Sequence, residues 1–408
     1  MDKKPWTRWA LGLQSLVLAF ILTGCWDQVE IENRALVLGL AIDEAPPSAA
    51  KLEPTVTHQK NEPLPKNMLR VTAQIAVPGR VPLGPSSGGM GSGGDGESPV
   101  WVVQVYGHSL DEALNNLQQQ IADPRYLIHL RVIVISKGIA QDGLDELNDY
   151  LRRNPEVRRR TWLLVSDTEA AKFMKVAPPL ERVPTLYLQA MVEKSIMMGK
   201  FPPNYIGEFW IEESNWGQDG YLPYVAIEGE ENILIKGLAY FSGGRLAGTS
   251  TAVDIGAFMA VKGYNPGGFT ALIPVPDLGY VMIKITERHA KTDMQIVDGK
   301  PHVNLKIHVE GMLDEHYDSG RTIGSEADID AIEEAFEHSA TNLVQKFCTQ
   351  TQRHQSDIFG FGEYVRALYP DFWKRNIHKK SDWEQMYADI PISVHLNISI
   401  RRTGLKAK

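Results

Sequence analysis

Residues 36–43, Leu-Val-Leu-Gly-Leu-Ala-Ile-Asp, form a dense apolar run ending in an acid and predict a buried strand. Residues 69–77 alternate, with Val71, Ala73, Ile75 and Val77 on one side. They predict a half-buried strand that Pro78, Gly79 and Pro82 stop. Residues 83–98 are rich in glycine and serine and hold almost nothing to bury, so they read as a flexible loop. A strand at 100–106 follows, which makes the loop a link between two adjacent antiparallel strands. Ser109 is placed to cap a helix reaching about residue 122, with Leu110, Ala113, Leu114, Leu117 and Ile121 on one stripe. Strands at 131–136 and 161–166 then alternate with helices at 142–153 and 168–176, which predicts an α/β unit over 25–176.

Residues 177–270 change character. Prolines 178, 179, 184, 202, 203 and 223 surround a helix near 185–198, and a hairpin turning at Gly243-Gly244 joins 233–241 to 245–249. This stretch reads as a connecting middle region or small domain. The last unit, 271–408, has alternating strands at 280–287 and 303–309 and a helix over 326–353. Ile329, Ile332, Phe336, Ala340, Leu343 and Phe347 form a single stripe on that helix. Ile392, Val394, Leu396, Ile398 and Ile400 close the chain in strict period two. The expectation is an α+β domain in which an antiparallel sheet packs on the long helix, within a mixed α/β and α+β chain of about three domains.

The N-terminus is of another kind. Lys3, Lys4 and Arg8 stand against Asp2, and residues 11–21 are apolar apart from Gly12, Gln14 and Ser15. That run is too short to cross a bilayer, which takes roughly 20 apolar residues, and has the length of a secretory signal core. Leu22-Thr23-Gly24-Cys25 follows and resembles a bacterial lipobox. The resemblance implies cleavage between Gly24 and Cys25, a diacylglycerol on the Cys25 sulfur with a further N-acyl chain such as palmitate, and anchorage on the outer face of the cytoplasmic membrane. Residues 1–24 would then be the signal peptide.

Without them the chain holds 39 basic and 49 acidic residues, a net charge of −10, which argues against a nucleic-acid surface. With Cys25 acylated, Cys348 has no partner within the chain, and two cysteines cannot build a cysteine-based zinc site. His289, His302, His308 and His316 share one stretch at spacings that match no helical metal pair, so no metal is expected. No Gly-x-Ser-x-Gly elbow joins a predicted strand to a helix, since Gly84-Pro-Ser-Ser-Gly88 lies within the glycine-rich loop; no Gly-Lys-Ser/Thr phosphate loop is present, and no catalytic set is assigned. Arg152, Arg153, Arg158, Arg159 and Arg160 form a basic run that reads as a solvated loop, or as a contact for anionic headgroups or an acidic partner.

Several pieces together resemble the Ger(x)C spore germination lipoproteins. They are Cys25-Trp26-Asp27 with Glu30-Ile31 and the strand ending at Asp43; Gly237 to Phe241 with Arg245 to Gly248; Ser356-Asp-Ile-Phe-Gly-Phe-Gly362; and Trp373, Trp383 and Gly404 in order. The glycine-rich insert at 83–98 departs from the family's pattern. The resemblance implies a non-catalytic C subunit of a nutrient germinant receptor, without a cofactor beyond its lipid. It would sit on the spore inner membrane with the membrane-bound A subunit and transporter-like B subunit. A solute-binding lipoprotein of an importer is the alternative. Within Asp357-Ile-Phe-Gly-Phe-Gly362, Phe359 and Phe361 are expected to be core anchors, with Gly360 and Gly362 permitting a sharp exit from the long helix. The alternative is that the aromatics form a partner-binding patch.

Overall fold

The computed structural model describes residues 34–52, 68–80, 98–176, 181–229, 232–317 and 323–402, with position 14 alone before them. Gly24, Cys25, residues 81–97 of the glycine-rich stretch and Gly404 lie outside the described residues.

Strand β1 (Ala35–Glu44) pairs antiparallel with β2 (Leu69–Ala76), which pairs antiparallel with β3 (Val100–Gly107). A two-residue strand β4 (Arg125–Tyr126) runs parallel to the start of β1. On the other side of β1, β5 (Val132–Ser136), β6 (Trp162–Ser166) and β7 (Tyr221–Glu228) follow in parallel. The antiparallel strands β8 (Asn232–Ser242) and β9 (Arg245–Thr249) complete the sheet. Its order is β3-β2-β1-β5-β6-β7-β8-β9, with β4 off the path. The stretch 177–270 therefore has no separate sheet, because its strands are the edge of this one.

Parallel strands need cover on both faces, and the burial of β1, β5 and β6 follows from that. One face is covered by α1 (Leu110–Gln118), α2 (Lys137–Asp142), α3 (Asp145–Arg153) and, after α4 (Pro184–Met197), α5 (Ile206–Ser214). Helix α1 starts where expected, with the Ser109 hydroxyl accepting from the Glu112 amide at 3.1 Å. The helix expected at 142–153 forms as α3 from Asp145, and Gly143, at φ 112°, separates it from a further helix, α2, not expected from the sequence. Strand β2 is a correction: it is buried on both sides, not half-buried. Its polar Gln74 is satisfied inside, donating to the Met174 carbonyl at 2.7 Å and accepting from the Thr185 hydroxyl.

The opposite face carries α4, the 3-10 turn Ala170–Met174 and α6 (Ala252–Lys262). Beyond α6 lies the second sheet, β10 (Thr270–Val275), β11 (Gly279–Val297), β12 (Lys300–Tyr317) and β13 (Ile392–Arg402). It is antiparallel through β12, but β13 pairs with β12 in parallel. The reason is the long return through α7 (Glu326–Arg353), α8 (Phe361–Leu368), α9 (Pro370–Asn376) and α10 (Lys380–Tyr387), since a parallel neighbour needs a crossover. One apolar core runs from the first sheet through α6 and α7 to the second.

Candidate functional site

The motif at 356–362 lies where the two sheets meet. Ile358, Phe359 and Phe361 are buried, and the two phenyl rings stack at 5.3 Å between Phe258, Phe347 and Tyr387. Their placement is that of core anchors, and neither ring contributes to the surface. The role expected for the glycines needs correction. Helix α7 ends at Arg353, and Gln355, at φ 53°, makes the turn away from it. Gly360 instead takes φ 76° ahead of α8, and a Cβ on Gly362 would meet the Gly217 Cα and the Trp383 ring, both at 2.5 Å.

Asp357 organises this knot. Its Oδ1 accepts from the Gly360 amide at 2.9 Å, and its Oδ2 accepts from the Gly362 amide at 2.9 Å and the Trp383 indole at 3.0 Å. Its own amide donates to Asp219 Oδ2 at 2.8 Å, and the Asp219 amide donates back to the Asp357 carbonyl at 2.9 Å. Lys380 Nζ closes the array, 2.9 Å from Asp219 Oδ1 and 3.5 Å from Glu213. Beside it, Glu212 accepts from Asn204 at 3.1 Å, and Lys262 donates to the Phe359 carbonyl at 3.1 Å.

Burial dominates the electrostatics. It pushes Asp357 up to about 6 even though its N–H donors pull the other way. It drives Glu212 up to about 8 against the Asn204 bond and the Lys262 charge, and holds Lys262 below its ordinary value. Asp219 is raised well above the usual carboxylate range by burial, with Lys380 opposing. Burial alone would lower Lys380, but the charges of Asp219 and Glu213 outweigh it and raise its pKa. These shifted acids are not exposed to a substrate: Asp357 and Asp219 are fully buried and held by backbone amides, an indole and an ammonium. The arrangement is a polar clamp between the two halves of the molecule. Cys348 is buried nearby, and burial raises its thiol.

A second feature is a groove of about 850 Å3 beside α7 and the second sheet. It gathers His289, His308, His338 and His395, which sequence spacing alone did not bring together. Cross-strand register explains it: His289 faces His308, and Lys306 faces His395. His308 Nδ1 lies 2.9 Å from Asn397 Oδ1. Among the described residues no group of three or more His, Cys, Asp or Glu side chains is placed to hold a metal ion. His289, Lys291, Lys306 and His395 are exposed, so the groove is a solvated surface without the desolvated polar contacts of a binding pocket. Among the described residues no helix is long and apolar enough to cross a membrane.

The basic run is partly tied down. Arg153 pairs with Asp149 at 2.9 Å, Arg152 donates to the Trp210 carbonyl at 3.0 Å, and Arg160 lies over the Tyr205 ring at 5.2 Å. Arg158 and Arg159 are exposed.

Comparison with known proteins covers both halves of the chain. Residues 27–227 match the family described as "Spore germination protein N-terminal domain", and residues 236–404 match "Spore germination B3/ GerAC like, C-terminal". The chain is 26% identical over 402 residues to the putative spore germination protein YfkR of Bacillus subtilis (strain 168), covering 96% of each chain. It is 23% identical to spore germination protein KC of the same organism, over 97% of this chain and 96% of the other. Spore germination protein B3 of that organism is 24% identical, over 95% and 96%. Among solved structures, the crystal structure of the GerBC protein shares the fold with a TM-score of 0.54 at 18% identity, over 82% of this chain and 94% of that one.

Proposed function

Because the chain belongs to the Ger(x)C spore germination family, we propose that it is the lipid-anchored C subunit of a nutrient germinant receptor. The observation that carries this reading is the family match across both halves, beginning two residues after Cys25. In this reading signal peptidase cleaves after Gly24, and Cys25 carries a diacylglycerol. The globular part is then held on the outer face of the spore inner membrane. Two or three acyl chains make a stable anchor, since each buried methylene contributes about 0.8 kcal/mol. The subunit performs no chemistry. It docks on the membrane-bound A subunit and the transporter-like B subunit, and nutrient sensing needs the assembly. Burial of the strongly shifted acids in the clamp between the sheets supports a structural, non-catalytic role.

The test is genetic. Spores lacking the gene are exposed to a panel of nutrients and dipicolinic acid release is measured. Loss of response to one nutrient class is expected, restored by the wild-type gene and not by Cys25→Ala. An unchanged response to every nutrient, with a ligand that raises the melting temperature of the purified protein, would favour the solute-binding lipoprotein instead.

A further inference from the structure

The four parallel strands β1, β5, β6 and β7 all begin at the same end of the first sheet, at Ala35, Val132, Trp162 and Tyr221. The segments that enter them carry an unusual share of the arginines: Arg34 before β1, Arg131 before β5, and Arg158, Arg159 and Arg160 before β6. Two are held over aromatic rings. Arg34 lies 4.3 Å from the Tyr126 ring centre, and Arg160 lies 5.2 Å from that of Tyr205. The acids at this end are fewer. Asp149 is paired with Arg153, Glu156 accepts from the Leu127 amide, Glu208 accepts from the Tyr205 amide and, with Glu193, acts on the Arg160 charge, and Asp123 is a further exposed acid. His129, which sits among these arginines, is held below its ordinary pKa by burial and by the charges of Arg131 and Arg158. This positive end stands out on a chain whose acids exceed its bases by ten once residues 1–24 are removed.

The same end holds two exposed apolar side chains, Ile211 on α5 at 58% and Trp216 before β7 at 45%. It is also where the chain arrives from Cys25. The ten steps from Cys25 to Ala35 reach at most about 35 Å. A lipid on Cys25 therefore holds this end within about 35 Å of the bilayer.

We propose that the arginine-rich end of the first sheet is a docking surface for an anionic phospholipid bilayer, with guanidinium groups on headgroup phosphates and Trp216 at the interface. Guanidinium suits phosphate because its planar fork donates two parallel hydrogen bonds, and tryptophan favours the headgroup level. The lipid supplies attachment and the arginines supply orientation. The proposal rests on the lipid-anchor reading, and its test separates the two.

The processed, lipidated full-length protein is reconstituted with vesicles of phosphatidylcholine alone or with one third phosphatidylglycerol. Flotation reports the anchor, and amide hydrogen exchange over 125–131 and 156–162 reports the surface. Flotation with both vesicle types is expected, with exchange in these segments slowed at least fivefold only by phosphatidylglycerol. The triple variant Arg158→Glu, Arg159→Glu, Arg160→Glu should still float and melt normally but lose that protection, as should the wild type in 0.5 M salt. Absence of flotation would sink the anchor reading. Flotation with equal exchange in both lipids would overturn the docking surface. Protection that appears only with membrane proteins present would assign the arginines to an acidic protein partner and equally overturn it.

Discussion

Asp357 shows how one side chain can tie down a chain reversal. Three donors converge on its carboxylate, and removing it would leave the Gly362 amide and the Trp383 indole unpaired in the core and the Gly360 amide with only its 3.3 Å bond to the Asp357 carbonyl. Each stranded donor costs about 1–3 kcal/mol. Burial nevertheless opposes its charge, so the folded carboxyl titrates near 6 against 3.8 for the free group. The native state keeps the proton across that window while the unfolded chain has released it. The contribution is thus fully present below about pH 4 and falls as pH rises through 6, by about 3 kcal/mol at 1.36 kcal/mol per pKa unit. Asp357→Ala should therefore cost about 2–4 kcal/mol at pH 7 and more at pH 4. Denaturant melts of both proteins at the two pH values check this, and a deficit that widens towards pH 7 would contradict the account. The importance of this aspartate was not legible in sequence. Phe359 and Phe361 drew attention as an apolar pair, whereas the donors that meet Asp357 come from two later turns and from Trp383 on a separate helix.

Elements show the same division. Helix α7 spans the expected residues because its stripe and its Ser325–Asp328 capping box are local signals. Helix α6 has the Thr251–Asp254 capping box but no stripe: lodged between the two sheets it is buried nearly all round, so no polar face marks its period. The β11–β12 hairpin is far longer than the alternation at 280–287 and 303–309 suggested. Its Asp298-Gly299 turn, with φ 50° and 76°, is the signal that would have joined the two runs. At the sheet's edge, β13 presents amides that α7 covers. Glu337 accepts from the Ile398 amide at 3.1 Å and Glu333 from the Ile400 amide at 2.7 Å. Open edges invite pairing with other chains. Glu333→Ala with Glu337→Ala should lower stability by about 1–3 kcal/mol and promote self-association on warming. The glutamine pair, which keeps both acceptors, should stay monomeric. Light scattering during a thermal ramp distinguishes them, and equal behaviour of the two pairs would rule out an edge-covering role.

At the scale of the molecule, the two family regions divide between residues 227 and 236, inside the pairing of β7 with β8. Those strands are bonded from Tyr221–Tyr240 to Glu228–Asn232. The second region also reaches back into the first sheet through Tyr240, whose hydroxyl lies 2.7 Å from His354 and accepts from Gln350 at 3.0 Å. The Lys380–Asp219 pair adds a buried charge tie, and breaking such a pair from one side is costly. The two regions should therefore unfold as one unit. A fragment ending at residue 227 should lack a cooperative melt, because β7 would lose its neighbour and the sheet its cover of α6 and α7. Calorimetry on that fragment and on the whole chain tests this, and a sharp independent transition in the fragment would refute it.

What the sequence by itself determined is local: the signal and lipobox pattern, the parallel-core strands, the caps and stripe of α7, the hairpin at Gly243-Gly244 and the motifs that carry the family resemblance. Each depends on neighbours a few residues apart, or on apolar period. The tertiary structure alone decided the parallel pairing of β13, the single sheet through 177–249, the four-histidine groove, the clamp around Asp357 and the gathering of arginines at one end of the sheet. Those depend on strand order and on burial between distant segments. Alternation tells which face of a strand is apolar, and is blind to the strand beside it and to the direction in which that strand runs.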